Sequence, residues 1–138
     1  MRIASTIICF IGAILTGCNG NSRQNFPWSL EGKAIPPFTI HGKDDLSMDG
    51  FVNYSLAVIV PAHLTQEQLT LVSQKIIQDQ PKHYLLIIFY FSDPKDVEKE
   101  FTVGKAWWGV EDPERIGKNG DYSRHVLKVE LPEKPSGS

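Results

Sequence analysis

Between Pro81 and Pro94 the chain carries an unbroken apolar and aromatic run, Tyr84, Leu85, Leu86, Ile87, Ile88, Phe89, Tyr90 and Phe91. No polar residue interrupts it, so neither a helical nor an alternating period leaves a side for water. Prolines bound it at both ends, and proline interrupts a helix or a central ladder alike. The run therefore predicts a central strand covered on both faces. Any fold for this chain must supply that cover from the segments that remain.

Two kinds of neighbour are legible. Tyr54, Leu56, Val58 and Val60 alternate with Ser55, Ala57 and Ile59, which predicts a strand with one apolar face, ended by Pro61. Thr65 with Gln68 forms a capping box, and Leu64 and Leu69 are spaced as a hydrophobic staple. Leu69, Val72, Ile76 and Ile77 then make an apolar stripe, while Gln66, Gln74 and Lys75 take other faces, so a helix is expected from Thr65 to Asp79. Phe101 to Trp108 predicts a third strand, with Phe101, Val103 and Trp107 on one face and Thr102, Gly104, Ala106 and Trp108 on the other. Tyr122 to Leu131 predicts a fourth, with Leu127, Val129 and Leu131 inward and Lys128 and Glu130 outward. His41 to Gly50, with Asp44, Asp45 and Asp49, reads as a turn-rich acidic loop.

The resulting order is strand, helix, strand, strand, strand. It predicts an α+β fold: a two-layer sandwich of one amphipathic helix on a four-stranded mixed sheet, with a right-handed parallel crossover followed by an antiparallel meander. One helix covers one face. The second face needs the proline-rich segment from Phe26 to Phe38, a second subunit or a partner as its cover.

At the N-terminus, Arg2 precedes the uncharged run Ile3 to Leu15, which has the length of a signal-peptide core and is short for a bilayer span. The run ends in Leu15-Thr16-Gly17-Cys18. Here the chain resembles the bacterial lipoproteins, whose lipobox is a Leu, two small residues and a Cys. The resemblance implies a diacylglyceryl group on Cys18, cleavage before it, and acylation of the new amino terminus. Cys9 leaves with the signal. The absence of Asp after Cys18, where Asn19 stands, resembles the outer-membrane class, so a lipid-anchored protein facing the periplasm is expected. The expected organisation is a signal peptide over 1–17, a flexible tether over 18–32 and a single domain over 33–138.

Hydrophobic residues make up 41% and charged residues 22% of the 138, with a formal net charge of −2, which fits one globular domain and argues against a nucleic-acid partner. Both cysteines fall within the first eighteen residues, leaving no thiolate in the domain for a metal or a nucleophile. No phosphate-cradling loop, nucleophile elbow, zinc-protease helix or EF-hand spacing is present. His41, His63, His83 and His125 lie in four separate segments; His83 and His125 are both on predicted strands and could meet if those strands were neighbours. Ser123 has no base beside it in sequence. No cofactor, metal or enzymatic activity is expected, and a dispersed site around His83 and His125 is the catalytic alternative.

The aromatics are the remaining signal. Trp107 and Trp108 are adjacent in a strand and must point to opposite faces. Either the outward one is covered by the proline-rich segment, or Trp108 with Tyr84 or Tyr90 and Tyr122 forms an exposed surface for a protein or a glycan. The expected function is a non-enzymatic, lipid-anchored binding or accessory module of the cell envelope. Its alternatives are an immunity or inhibitor lipoprotein and a homodimeric subunit of an envelope assembly.

Overall fold

The computed structural model describes residues 26–97, 101, 103–112 and 117–132. The expected signal peptide, the expected lipobox with Cys18, and Thr102 lie outside the described residues. The elements are β1 (Thr39–Asp45), β2 (Asn53–Ile59), α1 (Gln66–Asp79), β3 (Leu85–Phe91), a 3-10 turn (Pro94–Asp96), β4 (Gly104–Val110) and β5 (His125–Glu130). They form one helix and a five-stranded sheet in the order β1-β2-β3-β4-β5. β2 and β3 are parallel across the α1 crossover, and the other pairs are antiparallel. Among the described residues the α+β class, the one helix and the mixed sheet are as expected, but the sheet has five strands and not four. No helix among the described residues is long and apolar enough to cross a membrane.

The added strand is β1, where an acidic loop was expected. Its sequence, TIHGKDD, has no alternation to read, since all but one of its residues are exposed. It is an edge strand held by its ladder to β2, and its charges and the irregularity between Ile40 and Gly42 protect that edge from further pairing. Turn chemistry is present just beyond it: Asp49 and Gly50 both have positive φ, and Met48 and Phe51 exchange backbone hydrogen bonds, as in a tight hairpin turn.

The helix forms as its sequence dictates. The Thr65 hydroxyl accepts from the Gln68 amide at 3.1 Å, and the Gln68 side chain accepts from the Thr65 amide at 2.9 Å. Leu69, Val72, Ile76 and Ile77 are buried against Leu56, Val58, Leu86, Ile88 and Ala106 of the sheet. The helix rides close at Gly104, where a β-carbon would lie 2.6 Å from Leu69 Cδ1 and 2.8 Å from the Glu130 carbonyl oxygen. Within this interface Ser73 donates to the Leu69 carbonyl or shares its proton with Tyr90, whose hydroxyl is 2.6 Å away, so the buried Tyr90 phenol is partnered.

Gly104 and Ala106 decide which tryptophan is internal. Cross-strand partnering of Trp108 with Leu86 and of Ala106 with Ile88 puts Trp108 on the helix side, at 1% exposure. Trp107 takes the opposite face and is half-buried. The chain from Phe26 to Phe38 joins the helix layer: Phe26, Trp28, Ile35 and Phe38 pack on the same core, and the Trp28 indole donates to the Gln78 side chain at 3.2 Å. Phe26 and Trp28, expected in the tether, are thus part of the folded unit. β5 also begins and ends inside its expected limits, and Leu131, expected inward, is 45% exposed.

Candidate functional site

Two features stand out, one inside the helix-facing layer and one on the open side of the sheet. Inside, the rings of Trp108, Tyr122, His125 and His83 form a chain. Trp108 and His125 have centroids 5.0 Å apart, His125 and Tyr122 5.1 Å, and Tyr122 and His83 5.2 Å. Phe26 stacks on Tyr122 at 4.9 Å and Trp28 meets Trp108 edge-on at 5.1 Å, closing the cluster from outside. His83 and His125, from separate segments, are therefore both brought against one tyrosine ring. His41 and His63 are exposed elsewhere.

The backbone assigns the imidazole tautomers. His83 Nδ1 lies 2.7 Å from the Pro81 carbonyl and His125 Nε2 2.6 Å from the Tyr84 carbonyl. A carbonyl can only accept, so those nitrogens carry the protons and His83 Nε2 and His125 Nδ1 are bare. Both bare nitrogens are buried without a hydrogen-bond partner, as is the Trp108 indole N–H. Burial pushes both histidines below the ordinary imidazole range; for His83 the nearby His125 and Lys43 act in the same direction, and for His125 the Asp121 charge opposes it. Burial likewise pushes the Tyr122 phenol up. Both histidines are thus neutral at neutral pH. Neither hydrogen-bonds to a carboxylate, and no group of three or more His, Cys, Asp or Glu is placed to hold a metal, among the described residues.

The expected aromatic surface is not formed. Trp108, Tyr84, Tyr90 and Tyr122 are all buried, at 7% exposure or less: Phe26 and Trp28 pack on Trp108, Phe26 on Tyr122, Ser73 of α1 meets Tyr90, and Tyr84 lies against Phe51 and His125. The acidic residues behave as local turn formers: the Ser47 hydroxyl, together with the Ser47 amide that donates to Asp45 at 2.8 Å, holds the Asp45 carboxyl below the usual range. Ser123, without a base in its sequence neighbourhood, donates its hydroxyl to Asp121 at 2.8 Å; the same contact lowers the Asp121 pKa and makes it a weaker base.

The second feature is the face of the sheet turned away from α1. Ala57 and Ile59 of β2, Leu85, Ile87 and Phe89 of β3, Trp107 of β4 and Val126 of β5 are all half-buried, and no described helix or segment covers their centre. Asp44, Lys105, Lys128 and Glu130 rim them. Phe101 lies over Phe89 with ring centroids 6.2 Å apart and forms a lip at one end. Beside that lip is a groove of about 510 Å³ lined by Gly42, Asp44, Ser55, Ala57, Phe89 and Phe101. The Lys128 ammonium sits 5.5 Å from the Trp107 ring centre. The signal for this surface was present in the sequence, as an apolar run on both faces with one helix to cover it; the tryptophan assigned to it was the wrong one.

No protein-family model, no characterised protein and no solved structure matches this chain.

Proposed function

We propose that this chain is a lipid-anchored binding module of the bacterial cell envelope, tethered through Cys18 to the outer membrane on its periplasmic side, which engages another macromolecule without chemistry of its own. The observation that carries the reading is the open sheet face: contiguous half-buried apolar side chains rimmed by charges, the pattern of a surface built for contact. The lipobox residues Leu15 to Cys18 supply the address, and the polar stretch from Asn19 to Asn25 supplies reach from the lipid to the first described residue, Phe26.

The test is a photo-crosslinking amino acid placed at Ile87, in the middle of the open face, in the full chain in its own cells. A crosslinked macromolecule from position 87, absent when the probe sits at Lys75 on the exposed side of α1, is the expected result. No product from position 87 would overturn the reading. Independently, Cys18→Ser abolishes palmitate labelling and membrane fractionation if the anchor is as proposed.

A further inference from the structure

We propose that the occupant of the open face is a second copy of this chain, packed face to face about a two-fold axis that runs parallel to the strands and passes over β3. This rests on the reading of that face as a binding surface and adds the identity of what binds there.

Asp44, Ser55, Ile87, Trp107 and Lys128 are successive cross-strand partners and form one line across the sheet. β3 is the middle strand, so the rotation lays β1 of one copy over β5 of the other and β2 over β4. Asp44 then meets Lys128 of the second copy, Ser55 meets Trp107, and Ile87 meets Ile87. The neighbouring line, Gly42, Ala57, Phe89, Lys105 and Glu130, behaves alike. Gly42 and Ala57 fall opposite the long side chains of Glu130 and Lys105.

Shape and charge therefore agree. The groove of about 510 Å³ lies between the small residues Gly42, Ser55 and Ala57 of the β1–β2 half and a wall of Phe89, Phe91, Val97 and Phe101, and the β4–β5 half carries the bulky Trp107 that the Ser55 side of this hollow can receive. The complementarity is between two halves of one surface, which is the condition for an isologous interface and is not required of a surface made for an unrelated protein. Lys128 is paired with Glu111 in the single chain, but both side chains are more than half exposed, so that pair is weak and the lysine can turn to a new partner. Five strands about 4.8 Å apart and some 20 Å long give roughly 500 Å² of flat face per copy, about 1,000 Å² for two, the lower limit for a specific interface. Aligned sheet packing at about 10 Å separation is the geometry this implies.

The experiment expresses two differently tagged full-length copies in one cell, each with the photo-crosslinker at position 87. A product carrying both tags is expected. Asp44→Lys alone, or Lys128→Asp alone, lowers its yield by about tenfold, because each puts like charges in apposition twice per dimer. The double reversal, Asp44→Lys with Lys128→Asp, restores it, which a folding defect would not do. A product joining position 87 to a different protein overturns the second copy and leaves the binding-module reading standing. Failure of the double reversal to recover the product overturns the two-fold arrangement, and the absence of any product overturns both readings.

Discussion

His83 and His125 are polar groups that the fold has made neutral, and the sign of their effect on stability follows. Each has a folded pKa below its ordinary value of 6.5. The unfolded chain takes up protons near that value while the folded one resists, so their contribution is complete at neutral pH and is lost as pH falls through the imidazole range. The denaturant midpoint should drop between about pH 7.5 and about pH 5, a window above the carboxylate range, and His125→Phe should flatten the profile. A midpoint that stays level or rises on acidification would show that these imidazoles are not held neutral. The two tryptophans give a sharper contrast. Trp108→Ala should cost about 3–5 kcal/mol, since it empties a buried site between α1, Trp28 and Tyr122. Trp107→Ala, half-buried on the open face, should cost the single chain clearly less than Trp108→Ala. Equal losses in a denaturation series would contradict the placement.

Among the elements, α1 depends on short-range rules and β1 on none. Thr65→Ala removes a cap worth about 1 kcal/mol, and Ile76→Ala hollows the helix–sheet interface at about 2–5 kcal/mol, while Gln74→Ala should be close to neutral. A Gln74→Ala change as costly as Ile76→Ala would mean that the helix phase is wrong. Gly104→Ala tests how closely the helix sits. The new methyl meets Leu69 Cδ1 at 2.6 Å and a backbone carbonyl at 2.8 Å, and only the leucine can yield, so a loss of about 1–3 kcal/mol is expected in the same series. Capping, stripe and proline stop are properties of adjacent residues, so α1 is legible before folding. β1 has exposed side chains and exists because β2 offers an unpaired edge, and no periodicity within Thr39–Asp45 records that.

At the scale of the whole molecule, the segment from Phe26 to Phe38 extends the helix layer and leaves the other face open. Phe26→Ala combined with Trp28→Ala should therefore uncover Trp108 and Tyr122, lowering stability and altering near-ultraviolet dichroism from the ring cluster. It should leave crosslinking from position 87 intact in whatever fraction remains folded. If the double variant instead abolished that crosslink while stability held, the segment would belong to the open face and the layer assignment would fail.

Local chemistry in the sequence was enough to determine the capping box at Thr65 and the central strand with both faces apolar, and hence the need for a second cover, because each rests on residues within one or two turns of one another. Which of two adjacent tryptophans is internal was decided only by tertiary structure. Gly104 and Ala106 let α1 approach one side of β4, and Trp108 shares that side by alternation. The meeting of His83 and His125 around Tyr122 has the same origin. They are far apart in the chain, and what joins them is the pairing of β5 to β4 and of β4 to β3, a contact order that no local pattern encodes.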